Sequence, residues 1–257
     1  MLHVRRLHHT FIMRRTFKKV YSQKIETFKN IHNGKRCFII GNGPSLQSSD
    51  LDKLKDEITF GSNYIFKIFD KTEWRPTYYS CTDGNVLQKI IQEDEFWNIE
   101  AKAYFFQYAT TYLFKEKVFE NSFYFWLEEK ESIGKRLPKF SRNIEKEVFN
   151  SWTVTYILMQ LAVYMGFKEI YLLGIDNNYS VEVNNKGQMK NNENAQDSFI
   201  KGKSYKDLGG ATPNVERMNM GYQSAKKFAD KHGIKIYNAT RGGKLEFFDR
   251  VNFDDLF

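Results

Sequence analysis

The stretch Lys35–Leu46, KRCFIIGNGPSL, sets the strongest limit on what this chain can fold into. Cys37–Ile40 is a short, unbroken apolar run with β-branched residues. That is the composition of a strand covered on both faces, as in a parallel sheet. The run stops at Gly41-Asn42-Gly43-Pro44-Ser45. Two glycines permit a sharp turn and let the backbone come close to a ligand. Pro44 fixes φ in the turn or in a first helical turn, and Ser45 can cap the next element. A strand, a tight turn and exposed N–H groups at the carboxyl end of a sheet form the place where open α/β sheets bind phosphorylated ligands. The segment is neither GxGxxG nor a P-loop, because no Gly-Lys-Ser/Thr comes after it. An ordinary strand-to-helix turn is the plainer alternative.

The rest of the chain repeats this alternation. Ile58–Ser62, Thr77–Thr82, Ala103–Phe106, Phe123–Trp126, Glu169–Leu173 and Ile234–Tyr237 read as strands. Leu51 and Leu54 suit a short helix, as does Val86–Ile91. Thr153–Phe167 is a strong helix, with Ile157, Leu161, Tyr164 and Met165 on one face and Gly166 ending it. Pro213 opens another that runs to about Lys231. Residues 127–150 are polar and without a period. The expected fold is α/β, a doubly wound, mostly parallel, Rossmann-like sheet in one catalytic domain over residues 34–257. Residues 177–212 hold seven Asn among Gly and Lys. That is loop composition, too long for a simple connection, and a candidate active-site lid. Asn42, Asn63, Asp83 and Asp176 each come after a strand, and Gly174 breaks the chain after Leu173. In a parallel sheet those ends line one edge, where they can bond a base, a ribose or a phosphate.

The formal net charge of +8 is unevenly placed. Residues 1–36 carry ten Lys and Arg and one acid, Glu26; the remainder has 29 basic and 30 acidic residues. Val4, Leu7, Phe11, Phe17, Tyr21, Ile25 and Phe28 recur at helical steps among the basic residues. Residues 1–33 therefore read as a basic amphipathic arm. Such a helix can lie on an anionic membrane, or pack on the domain with its basic face in solvent. The main body has no basic stripe for nucleic acid. No uncharged apolar run reaches the roughly 18 residues of a spanning helix, and the first residues lack the apolar core of a secretory signal. The two cysteines, Cys37 and Cys81, fall in expected buried strands. These features together lead to the expectation of a cytoplasmic protein, peripheral on the inner face of the membrane.

Several segments carry a resemblance: CFIIGNGPSL, FGSN, WRPTYYSCTD, TVTYILMQLAVYMGFKEIYLLGID, and NVERMNMGY running into GIKIYNATRGGKLEFFDRVNFDDLF. They extend over most of residues 34–257. The chain resembles the 6-hydroxymethylpterin pyrophosphokinase-like domain family, many of whose bacterial members belong to surface-polysaccharide gene clusters. Its frame is also similar to bacterial sialyltransferases that use CMP-sugar donors. Those have GNGPSL after the first strand, an Asn after the second, and a helix leading into GYKEIYLxGID. The resemblance implies a sialyltransferase-type fold. The nucleotide would lie at Gly41, Asn42, Gly43, Pro44, Ser45, Asn63, Asp83, Thr153, Thr155, Gly174 and Asp176. Where the sialyltransferases have Thr-Ser-Gly entering the long helix, this chain has Thr153-Val154-Thr155. Where they have a His as general base, counting back from GIKIY places Glu216.

The implied activity is a glycosyltransferase of surface polysaccharide or lipopolysaccharide synthesis. The donor would be a CMP-activated acidic sugar, sialic acid or a related keto-sugar acid. The acceptor would be a hydroxyl of a glycan or lipid-linked glycan. Asn42 and Gly43 would hold the phosphate by their amides, and Tyr179 or Tyr205 would donate to the departing phosphate. Arg241 would bind a carboxylate or phosphate. Without a DxD motif, no metal or other cofactor is expected. The alternative is a Mg²⁺-dependent diphosphokinase that transfers pyrophosphate from ATP to a pterin-like alcohol, with Asp83 and Asp176 as its carboxylates.

Overall fold

A computed structural model describes residues 2–129 and 136–257, the first eight of them as helix backbone only. Helices α1 (Leu2–Val20) and α2 (Ser22–Glu26) lead into β1 (Arg36–Ile40). Then come α3 (Ser48–Asp52), β2 (Thr59–Ser62), β3 (Tyr78–Cys81), α4 (Gly84–Ile90), α5 (Asp94–Trp97), β4 (Ala103–Gln107) and β5 (Ser122–Phe125). A small pair, β6 (Leu127–Glu128) and β7 (Val148–Phe149), precedes α6 (Val154–Tyr164) and β8 (Glu169–Leu173). The hairpin β9 (Val181–Val183) and β10 (Met189–Asn191) interrupts the long loop before α7 (Val215–His232), β11 (Lys235–Asn238) and β12 (Asp249–Arg250).

Eight strands form one sheet in the order β12-β11-β8-β1-β2-β3-β4-β5, and every neighbouring pair is parallel. The expected doubly wound fold is the observed one. Along β1, Cys37 and Ile39 face one hydrophobic cluster while Phe38 and Ile40 face the other. A strand buried on both faces must be apolar throughout, which is why CFII reads as a run and not as an alternation. Helix α6 is buried nearly all round, from Tyr156 to Ala162, because it lies between the sheet and its neighbours. From β1 the chain moves outward through β2 to β5, then returns to place β8, β11 and β12 on the other side. The order therefore reverses between β1 and β8, and a crevice opens there at the carboxyl ends of the strands.

The division drawn after residue 33 is not a break in the structure. Phe17, Ile25 and Phe28 are buried in the core. The Phe28 ring meets Phe105 and Phe123 edge-on at 4.9 and 4.6 Å. The amides of Asn30, His32 and Gly34 donate to the carbonyls of Tyr164, Met165 and Gly166. These are carbonyls at the carboxyl end of α6, which have no partner within their own helix. The physical reason for the difference is that helical apolar spacing is the same for a membrane face and for a core face. Along the rest of α1, Phe11, Ile12, Arg15, Lys18 and Lys19 are exposed. Arg14 there pairs with Glu147 and Glu128.

Phe28→Ala should lower stability by about 3–5 kcal/mol, as for a buried phenylalanine, measured by urea unfolding. A chain starting at residue 34 should fail to fold. An unchanged urea midpoint for Phe28→Ala would restore the reading of a separate arm.

Candidate functional site

Two turns meet at the switch point. Gly41 comes directly after β1 and Gly174, at φ 67°, directly after β8. A Cβ on Gly41 would stand 2.3 Å from the Gly174 carbonyl oxygen, and one on Gly43 would stand 1.8 Å from Asp176 Oδ2. Both glycines are required by close approach, not by turn geometry alone. The approach has a chemical consequence. The Gly43 N–H donates to the Gly174 carbonyl at 2.9 Å, and Gly41 N–H donates to Leu173. The Gly43 amide is therefore engaged and is not open to a phosphate, contrary to the expectation from sequence.

A small cavity of about 70 Å³ sits over these turns. Gly41, Asn42, Gly43, Asn63, Thr153, Thr155, Gly174, Asp176, Tyr179 and Tyr205 all line it. Pro44 and Ser45 do not, but the Ser45 hydroxyl donates to Asp176 Oδ2 at 2.8 Å and holds that carboxylate. Burial pushes the Asp176 carboxyl's pKa up, and the hydrogen bonds from Ser45 offset part of that. Asn42 Nδ2 donates to the Ser62 carbonyl at 3.0 Å, which leaves its Oδ1 buried without a partner. Asn63 and Asn177 hold left-handed backbone at φ 49° and 50°, and each also has a buried, unpartnered Oδ1. Asn177 Nδ2 donates to Asn219 Oδ1 at 2.9 Å. Among the described residues, none that lines this cavity carries a positive charge.

The long loop closes over the cavity. The Phe199 amide donates to the Asn42 carbonyl at 2.9 Å. The Asp197 carboxylate accepts from the Ser180 amide, the Ser180 hydroxyl and the Tyr205 amide, so one side chain ties distant parts of the loop. The Tyr179 and Tyr205 rings stand edge to face at 5.9 Å. Burial pushes both phenols up, so they stay protonated and can donate.

A larger cavity of about 340 Å³ adjoins the first and shares Asn63, Thr153, Val154 and Tyr205 with it. That volume is in the range of small-molecule sites. Asp83, Gln107, Trp152 and Arg217 line it. Asp83 caps α4, with Oδ1 accepting from Asn85 at 2.8 Å and Val86 at 3.3 Å. Trp152 is 39% exposed at φ 61°, a strained conformation for a bulky residue. The Arg217 guanidinium lies 5.6 Å from its ring.

Two residues singled out in the sequence lie elsewhere. Glu216 is exposed in the first turn of α7 and lines neither cavity; its Oε2 accepts from the Asn185 amide at 2.9 Å. It fixes the lid hairpin, a role that a spacing count along the chain cannot distinguish from a base. Arg241 makes a two-pronged pair with buried Asp50, at 3.1 and 2.9 Å, and also pairs with Asp254. Its charge holds the segment after β11 to α3 and the chain's end. Asn177, Gln107, Trp152 and Tyr222 were missed. Gln107 ends β4 and Asn177 is next after Asp176, so the rule of polar residues at strand ends finds both if it is applied to every strand. Tyr222 gives no such signal, being one aromatic on an apolar helix face. His232 stacks on Phe228 and bonds its carbonyl, which is a structural role.

The model of the family described as 6-hydroxymethylpterin diphosphokinase MptE-like matches residues 13–182. The chain belongs to that family. No curated protein sequence matches this MptE-like chain. Among solved structures, the MAf glycosyltransferase from Magnetospirillum magneticum AMB-1 is similar, with 12% identity and a TM-score of 0.52. The match covers 92% of this chain but 38% of that one, so the chain spans well under half of that protein's length. The sialyltransferase CstII from Campylobacter jejuni, in complex with cytidine-5'-monophosphate, is similar with 16% identity, a TM-score of 0.50 and 86% of each chain covered. At these identities the likeness establishes the sialyltransferase-type fold of the MptE-like chain.

Asp176→Asn should raise the thermal stability of the protein at neutral pH in a chelating buffer. A carboxyl whose pKa is higher folded than unfolded contributes stability below the unfolded value and loses it as pH rises through the folded value. The advantage of the amide should shrink on acidification. A melting temperature equal to or below that of the native chain at pH 7 would contradict the buried, destabilised carboxylate.

Proposed function

We propose that this chain is a glycosyltransferase of surface polysaccharide or lipopolysaccharide synthesis. Its donor is a CMP-activated acidic sugar, and its acceptor is a sugar hydroxyl of a glycan or lipid-linked glycan. The observation that carries the reading is the pair of adjoining cavities at the switch point, one polar and closed by a lid, the other of small-molecule size with a Trp on its wall. An exposed indole face is a suitable platform for a sugar ring, and the neighbouring amides and carboxylates suit its hydroxyls.

In this reading the acceptor oxygen attacks the anomeric carbon, the bond from that carbon to the phosphate oxygen breaks, and the nucleotide monophosphate leaves. The acceptor proton goes to a carboxylate. Asp83 is the residue assigned to this, since it lines the larger cavity while Glu216 does not. Tyr205 borders both cavities and Tyr179 lies beside it, so their hydroxyls donate to the departing phosphate. The second reading, a diphosphokinase that moves pyrophosphate from ATP to a pterin-like alcohol with Mg²⁺, is favoured by the family match itself. Asp176 and Asp83 would then be its carboxylates.

This surface-glycan reading also proposes a role for the exposed side chains of α1. Phe11 and Ile12 are 66% and 50% exposed beside Arg15, Lys18 and Lys19, a pairing suited to the inner face of an anionic membrane. Among the described residues no helix is long and apolar enough to cross a membrane.

Thermal-shift titration with CMP, UDP, GDP and ATP, with and without Mg²⁺, separates the readings. Stabilisation by CMP is expected, while stabilisation by ATP only with Mg²⁺ would favour the diphosphokinase. Asp83→Asn keeps the helix cap but cannot take a proton, so kcat should fall by about 10²–10⁴-fold with little change in nucleotide affinity. Glu216→Gln should leave kcat unchanged. The reverse pattern would return the base to Glu216. Replacing Phe11 and Ile12 together by Ser should abolish sedimentation with anionic vesicles, and undiminished sedimentation would remove the membrane role.

A further inference from the structure

We propose that Asp176, Asn42, Asn63 and Asn177 hold a hard divalent cation, Mg²⁺ or Mn²⁺, through their side-chain oxygens. The inference concerns the same crevice but does not require glycosyl transfer, since a cation there would serve either reading of the chemistry.

The donor set points this way. Three amide oxygens, Asn42 Oδ1, Asn63 Oδ1 and Asn177 Oδ1, are buried and unpartnered, and all three residues line the same small cavity. A buried polar atom without a partner costs about 1–3 kcal/mol, so three in one place call for a common explanation. For two of them the orientation is set from behind. Asn42 Nδ2 is fixed on the Ser62 carbonyl and Asn177 Nδ2 on Asn219 Oδ1, which leaves oxygen as the free end. Asn177 as a whole is 6% exposed. Asn63 and Asn177 both reach their places from left-handed backbone, a conformation that asparagine tolerates and that strained functional turns retain.

The fourth member supplies charge. Asp176 is 9% exposed, and one of its oxygens accepts from Ser45. Among the described residues, no Lys, Arg or His lines the cavity to balance it. Buried charges are paired or coordinate metals, and this one has no cationic side chain to pair with. Amide carbonyl oxygens with one carboxylate suit Mg²⁺ or Mn²⁺, whose remaining positions water fills. Among the described residues no three His, Cys, Asp or Glu side chains converge on a metal; the set here is mostly amide, which a search for such side chains or for DxD does not describe.

Size argues in the same direction. The cavity is about 70 Å³, and a water molecule occupies about 30 Å³. An ion with a water or two fits, whereas ligand pockets start near 300 Å³. Ribose hydroxyls would also satisfy the amide oxygens, but they bring no positive charge to Asp176.

The test is Mn²⁺ binding to the full chain, read by loss of the free-ion EPR signal, with no nucleotide or acceptor present. One saturable site is expected, with Mg²⁺ competing. Asp176→Asn should weaken it by at least tenfold, given that even outer-shell partners of metal ligands contribute about 10–100-fold. Asn177→Asp adds a second carboxylate and should tighten it, a gain that a structural role for Asn177 would not produce. Melting curves in chelating buffer establish that both variants fold. The absence of a saturable site up to millimolar Mn²⁺, or equal affinities in the native chain, Asp176→Asn and Asn177→Asp, overturns the proposal. A chain stabilised by CMP in chelator but lacking the Mn²⁺ site loses the cation and keeps the transferase reading. A chain that binds Mn²⁺ at the expected residues but is stabilised by no CMP keeps the cation and loses that reading.

Discussion

The backbone contact between the turn after β1 and the turn after β8 is the constraint on which the site depends. These strands are neighbours only because the chain leaves β1 in one direction and returns on its other side. Their carboxyl ends then meet so closely that Gly41 and Gly43 have no room for a Cβ. The contact is made by Gly43 donating to Gly174, and it brings Asp176 against the loop after β1. Everything placed on these turns, from Asn42 to Asn177, inherits its position from that meeting of two strand ends.

The same contact explains what the site cannot do. Loops after the first strand of nucleotide-binding sheets commonly offer free amides to phosphate. Here the Gly43 amide is taken up by the neighbouring turn, and the side chains around it present oxygen. The wall therefore favours groups that donate hydrogen bonds or carry positive charge, and the hydroxyls of Tyr179 and Tyr205, brought in by the lid, are donors in the same cavity. Asp197 makes that possible by tying the hairpin side of the lid to the Tyr205 amide. The long loop lines the cavity as well as covering it.

The fold was legible because buried parallel strands must be apolar on both faces. CFII and IYLL satisfy that requirement, and turn residues mark their ends. The short pieces were not legible: β6, β7 and the lid hairpin are two or three residues long, with no period to read. The N-terminal segment misled for a different reason. An apolar spacing does not name its partner, and the partner of Phe17, Ile25 and Phe28 is the core.

The site divides along the same line. That residues attached to strand ends, such as Asn42, Asn63, Asp83 and Asp176, would gather around one crevice was legible because topology alone puts such ends on one edge. Glu216 was assigned by its position along the chain and Arg241 by the chemistry of its guanidinium, and both carry charges that the structure spends on tertiary contacts instead. A charged residue near a site is ambiguous in sequence because an ion pair and a substrate contact need the same side chain. Arg241 is decided by Asp50, which is almost fully buried and needs a cation for its own sake. Asp176 is also buried, yet among the described residues no cationic side chain lines its cavity, and that asymmetry between two buried aspartates is visible only in three dimensions.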